Sequence, residues 1–246
     1  MKEAGRSILG NRRWIILVIL LAYVAGVFSE HQGFLKFARK HPLEIWRLLL
    51  QHLQLVGISG IIAIGLGVPV GIFLTRGFMR LYKDWLLTFL GIFQTVPSLA
   101  VIAISMAYLG IGKKTAIFGL IVYSITSIIR NTVAGLANLD PVVLDAGRGM
   151  GMTPFQLLYK VELPNAMYII LRGIRTAMVI NVGSAAMSFL VGGGGLGDLI
   201  FTGIAMVDAG YMFAGAVPTA ALAVAINWVL ERFEKGLISP GLVYDD

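Results

Sequence analysis

Residues able to do chemistry are few, and their spacing argues against most of it. The chain has no cysteine, which removes disulfides, iron–sulfur clusters and thiolate metal sites. His31, His41 and His52 carry no ordered metal-ligand spacing, and solvated or interfacial histidines are expected. Gly57-Ile58-Ser59-Gly60 is a fragment of a nucleophile elbow, but no histidine outside the 29–52 segment exists to serve as its base. Gly192-Gly193-Gly194-Gly195-Leu196-Gly197-Asp198 has the spacing of a dinucleotide fingerprint without a preceding strand, and Asp198 stands where a Walker loop needs lysine. Irregular backbone at the outer mouth of the last spans is the expectation there.

What remains is small polar groups inside apolar runs. Gln94, Pro97 and Ser98 interrupt the run 85–109, where a proline frees backbone groups that neighbours or a water-filled cavity must satisfy. A packing kink and a path-lining break are both consistent with this. Asn181, Ser184 and Ser188 recur at three and four residues and share one helix face, as path lining or as interhelical glue. These six residues are the candidate translocation path. No span carries a central charge of the kind a proton pump or ion-coupled carrier uses. Energy for moving a solute must then come from outside the chain.

The elements that hold these groups are membrane helices. Of 246 residues, 57% are hydrophobic and only 13% charged, against about a quarter in soluble domains. Apolar runs at 14–28, 53–74, 85–109, 115–129, 176–197 and 210–230 give an all-α integral membrane protein of about six transmembrane helices. The first is read as a retained span, the other five as the core. The segments are 1–52, an N-terminal span with an external amphipathic stretch; 53–237, the transmembrane domain; and 238–246, a cytoplasmic tail. The net charge of +7 shows no basic face interleaved with aromatics, so no nucleic-acid partner is expected. Lys36, Arg39, Lys40, Arg47, Lys113 and Lys114 fall outside in this topology, leaving the other fourteen of the 20 basic residues inside. The positive-inside rule then makes the N-terminus and the loop 131–175 cytoplasmic, with the cluster at 36–40 as the dissent.

One polar-flanked stretch organises the whole. Asp140-Pro141 is a helix start, and glycines at 149 and 151 end that helix. Thr153-Pro154-Phe155-Gln156 is a second start with a capping box, and Pro164 is expected to close the second helix. The result is two short helices hinged at Gly151, with Val142, Val143, Ala146 and Met150 on one and Phe155, Leu158 and Val161 on the other. Such an exposed apolar hairpin wants a partner.

Asp145-Ala146-Gly147, three residues, Gly151, nine residues and Val161-Glu162-Leu163-Pro164 resemble the cytoplasmic Glu-Ala-Ala loop of permease subunits in binding-protein-dependent ABC importers. The resemblance implies that Asp145, Ala146, Gly147, Gly151, Met152, Phe155, Leu163 and Pro164 form a coupling contact with a separate ATP-binding subunit. It implies that ATP and magnesium bind on that partner, so this chain is no enzyme and holds no cofactor or metal. The implied partners are two ATP-binding subunits, an extracytoplasmic solute-binding protein and a second permease subunit, in a bacterial cytoplasmic (inner) membrane. More narrowly, Gln94-Thr95-Val96-Pro97-Ser98-Leu99, Ile129-Arg130-Asn131-Thr132, 147–153 and 193–198 resemble osmoprotectant permeases for glycine betaine, carnitine and choline. Methionine permeases, which share the glycine-rich outer stretch and a similar loop, are the nearest alternative. In the osmoprotectant family the aromatic cages that grip quaternary ammonium groups sit in the binding protein. The resemblance therefore implies little selectivity in this chain.

Overall fold

A computed structural model describes residues 34–77 and 79–237, all of it helical or connecting. In chain order the helices are α1 (Phe34–Lys40), α2 (Pro42–Leu74), α3 (Met79–Thr95), α4 (Ser98–Leu109), α5 (Lys113–Ala137), α6 (Pro141–Gly149), α7 (Pro154–Leu157), α8 (Leu163–Ala185), α9 (Gly197–Met206) and α10 (Ala209–Leu237). Among the described residues, four helical stretches are long and apolar enough to cross a membrane: Pro42–Leu74, Lys113–Ala137, Pro154–Val191 and Ala209–Gly236. The expected span at 14–28 and the tail at 238–246 lie outside the described residues.

The run 85–109 is divided between α3 and α4. Pro97 takes an extended ψ of 137°, and its carbonyl accepts the first amides of α4 from Ala100 and Val101. A residue before proline avoids the helical region, so Val96 ends the continuous ladder. The external amphipathic stretch expected before residue 53 and the span behind it form one helix, Pro42–Leu74. Leu48, His52, Leu55, Ser59, Ala63, Gly67, Gly71 and Leu74 recur every three or four residues along α2, and all are buried.

At the centre lies α5, packed on α2 along one flank and α8 along the other. Small residues set the spacing, since a Cβ at Gly71 would lie 2.6 Å from Thr132 Cβ. One apolar cluster joins Leu55, Ile102, Leu120, Val182 and Val191, and a second joins Ala63, Ile128, Ala166, Ile170 and Ala177. The bundle is thus held by α2, α5 and α8, while α3 lies on its margin.

Pro164 does not close a helix. A π-helical turn, Leu158–Glu162, links α7 to α8 in one run from Pro154 to Val191. In a regular helix the proline ring would strike the carbonyl four residues back, that of Lys160. The wider turn, in which the Leu163 amide bonds the Leu158 carbonyl, moves that carbonyl aside. Asn165 then donates from Nδ2 to the Val161 carbonyl at 2.7 Å, using an acceptor the irregular ladder leaves available. The second arm of the hairpin is therefore the first turns of a membrane helix.

Candidate coupling hairpin and translocation path

The first arm of the hairpin starts where expected. The Asp140 carboxylate accepts from the Val142 amide at 2.8 Å, with Pro141 at the first helical position. The arm ends by bonds from Gly151 N to the Arg148 carbonyl (2.9 Å) and from Met152 N to the Gly147 carbonyl (3.2 Å). Gly151 sits at φ +75°, the left-handed conformation that glycine adopts without steric cost. The second arm opens on a complete capping box. Thr153 N donates to Gln156 Oε1 at 2.9 Å, and Gln156 N donates to Thr153 Oγ1 at 3.3 Å.

Inside the angle the two arms touch. Gly147 is buried against Leu157, and a Cβ on it would come within 2.6 Å of Leu157 Cδ1. The coupling set implied by the resemblance therefore divides in two. Asp145, Ala146, Gly151, Phe155 and Pro164 are exposed, Met152 and Leu163 are half-buried, and Gly147 serves the packing of the arms. Asp145 and Arg148 pair at 2.8 Å on the surface. Val142, Met150, Phe155 and Tyr159 are apolar side chains left open, with Phe155 75% exposed and Val142 73%. The hairpin spends its polar atoms on its own caps and leaves its aromatic tip bare.

The hairpin is anchored by an ion pair that local reading could not find. Arg76, just past the end of α2, donates from Nη1 to Glu162 Oε1 at 3.1 Å and from Nη2 to Glu162 Oε2. Glu162 is buried in the π turn, and its partner lies 86 residues earlier in the chain. Removing Arg76 would leave the buried Glu162 carboxylate uncompensated, at about 3–5 kcal/mol.

The path candidates do not share one recess among the described residues. Ser98, at the start of α4, donates to Met187 Sδ at 3.7 Å, within the 3₁₀ turn Ala186–Val191 that carries the buried Ser188. Pro97 is exposed at the break. Asn181 is buried between α2 and α8, donating from Nδ2 to Ser59 Oγ at 2.8 Å, while the Ser59 hydroxyl donates to the Leu55 carbonyl at 2.7 Å. Asn181 Oδ1 and Ser188 Oγ have no hydrogen-bond partner among the described residues, and Ser184 is buried beside them on the same helix face. Gln94 borders a recess of about 350 Å³ lined also by Tyr123, Ser124, Ser127 and Ile180. Its Oε1 accepts from Arg130 Nη1 at 3.1 Å, beside a wider recess of about 500 Å³ between α3 and α5.

The glycine-rich turn is irregular backbone, as expected, with Gly192, Gly194 and Gly195 all at positive φ. Its anchor corrects the reading of His52. That histidine is fully buried rather than interfacial: Nε2 donates to the Val182 carbonyl at 3.0 Å, and Nδ1 accepts from Leu196 N at 3.3 Å. Gln51 Oε1 accepts from the next amide, Gly195 N, at 3.3 Å. The only hint in the sequence is His52 falling on the apolar stripe of α2.

The family described as the binding-protein-dependent transport system inner membrane component matches residues 67–239. The chain belongs to this family. The matched stretch takes in the hairpin, the broken pair α3 and α4, the Arg130–Gln94 pair and the glycine turn of this inner membrane component. A choline transport system permease protein of Bacillus subtilis (strain 168), OpuBB, is 37% identical over 84% of this chain and 94% of the relative. The osmoprotectant import permease protein OsmY of Salmonella typhimurium (strain LT2) is 36% identical over 91% of this chain and 92% of the relative. Among solved structures, an inward-facing form of the MetNI methionine ABC transporter matches with a TM-score of 0.71 at 25% identity, over 81% of this chain and 99% of that one. Like them, this component is a membrane-embedded permease built of helices.

Proposed function

We propose that the chain is the transmembrane subunit of an ABC importer for osmoprotectants, quaternary ammonium compounds such as glycine betaine, carnitine or choline. The observation that carries this is the hairpin. A capped, glycine-hinged pair of arms with a bare apolar tip continues without a break into a membrane helix. Motion of a partner gripping the tip would reach Asn181 and Ser188 through one continuous rod, the element that alternating access requires. The relatives above, named for choline and osmoprotectant transport, support the solute class.

In this reading ATP and magnesium belong to a separate ATP-binding subunit docked on the exposed residues Asp145, Ala146, Gly151, Phe155 and Pro164. A solute-binding protein delivers from the other side, and a second permease subunit completes the pore. The topology is six spans, the run 14–28 included, with the N-terminus and the loop 131–175 in the cytoplasm of a bacterial inner membrane. The distribution of basic residues supports that orientation. The chain itself hydrolyses nothing.

The likeness to a methionine transporter supports a second reading, an amino-acid permease on the same scaffold. One assay separates them. Proteoliposomes holding this chain, its ATP-binding subunit and its binding protein should accumulate glycine betaine, carnitine or choline when ATP is supplied on the hairpin side. Accumulation of methionine with none of the three would replace the first reading by the second.

A further inference from the structure

Arg130 is oddly placed for a structural arginine. It lies seven residues before the end of α5, about 10 Å inside a membrane-crossing helix at 1.5 Å per residue. Its hydrogen-bond partner is the neutral Oε1 of Gln94, and among the described residues no carboxylate reaches it. Arg130 follows the apolar run 115–129, so in the proposed topology it stands at the inner end of its span, where a charge is tolerated if it faces water or a partner. Arg130 is exposed and overhangs an open surface hollow of about 500 Å³ that runs along α3.

The opposite wall has a complementary character. Asp84, Thr88, Gly91 and Thr95 recur along α3 at four, three and four residues and all line this recess. Thr88 and Thr95 donate their hydroxyl protons to the carbonyls of Asp84 and Ile92 at 2.8 and 2.7 Å. Their oxygens therefore remain as acceptors, beside the Asp84 carboxylate that meets Lys83 at 3.6 Å. Gly91 keeps the lane open, since a Cβ there would sit 3.1 Å from Arg130 Nη1. One wall thus offers a guanidinium fork, held at Nη1 by Gln94 with its other donors unpartnered among the described residues. The other offers oxygen acceptors.

We propose that this recess is a transit site for a zwitterion, binding its carboxylate at Arg130 and its cationic head along the acceptor stripe of α3. A guanidinium matches a carboxylate bidentately in a way an alcohol cannot reproduce. Resting on the osmoprotectant reading, the site gives this chain a selectivity of its own: glycine betaine and carnitine are held there, and choline, which ends in a hydroxyl, is not. Gln94 is a positioning residue that aims the fork.

The test is solute uptake by the complete complex in proteoliposomes, with glycine betaine and choline compared under the same ATP supply. Arg130→Gln should lower betaine uptake about tenfold or more, the scale of one charge-assisted pair, and leave choline uptake within about twofold. Arg130→Lys should recover part of the betaine uptake. Gln94→Leu, which leaves the charge in place, should lower betaine uptake about threefold with choline unchanged. Equal loss of both solutes, or loss of neither, in complexes that retain their ATP-binding subunit overturns the site alone. Wild-type complex that moves neither solute, nor carnitine, contradicts the osmoprotectant reading and the site with it. Wild-type complex that moves choline but no carboxylated solute overturns the site while keeping that reading.

Discussion

The hairpin and the glycine turn are both short, glycine-bearing and irregular, yet they are held in opposite ways. The hairpin's caps and hinge are bonded locally, Asp140 to Val142, Thr153 with Gln156 and Gly151 to Arg148, while the base of its second arm is tied to distant Arg76 through Glu162. The glycine turn hangs on groups far away in sequence, with Gln51 and His52 reaching residues 144 positions later and His52 also reaching Val182. Phe155 at the tip of the hairpin is 75% exposed, whereas His52 and Leu196 are fully buried. A self-sufficient motif can present its face to a partner and move as a unit. A turn stitched into the bundle cannot move without disturbing α2 and α8. The difference teaches that one region is left open to a partner and the other is stitched into the bundle.

Stability measurements on the purified permease should separate the two regions in a fixed order. Gly197→Ala should have the largest effect, because the Ala186 carbonyl already occupies the space a Cβ would need. A loss above about 4 kcal/mol is expected, read as failure to recover folded protein. His52→Ala should follow at about 3 kcal/mol, removing a buried ring and leaving the Val182 carbonyl and the Leu196 amide unmet. Thermal unfolding in detergent would register it as a clear drop in midpoint. Gly151→Ala should cost about 1–2 kcal/mol, the penalty for a Cβ in the left-handed region at φ +75°. Thr153→Ala should be the mildest, at about 1 kcal/mol for a lost cap, since only one local bond goes with it. If Thr153→Ala proved costlier than His52→Ala, the contrast between a local and a stitched turn would collapse.

The same contrast explains what the sequence made legible. Both caps of the hairpin and its glycine hinge follow from neighbours within four positions and are found, as are exposed Val142, Val143, Ala146, Met150 and Phe155, whereas Leu158 and Val161 are half-buried. The break at Pro97 and the irregular glycine turn are equally local. Pro164 misled because a proline inside a helix usually ends it, and a π turn that absorbs one needs Glu162 anchored from elsewhere. That anchor is Arg76, 86 residues away. His52 misled for a related reason: a histidine near charged residues suggests water, and only the folded bundle brings Val182 and Leu196 to both of its nitrogens. Asn181 shows the limit from the other side. Its helix face with Ser184 and Ser188 is periodic and was visible, but its bond to Ser59 crosses between helices 122 residues apart. Pattern reveals faces, and only packing reveals what each face meets.

The central claim is that the hairpin is a docking surface joined rigidly to the membrane helices, and Phe155 tests it most directly. The side chain touches so little of its own chain that Phe155→Asp should leave the thermal midpoint of the permease unchanged. Co-purification of the ATP-binding subunit from detergent is the measurement. The variant should lose that subunit while the wild type retains it, and ATP-driven uptake should fall with it. A Phe155→Asp permease that keeps its ATP-binding subunit in full and transports normally would contradict the claim.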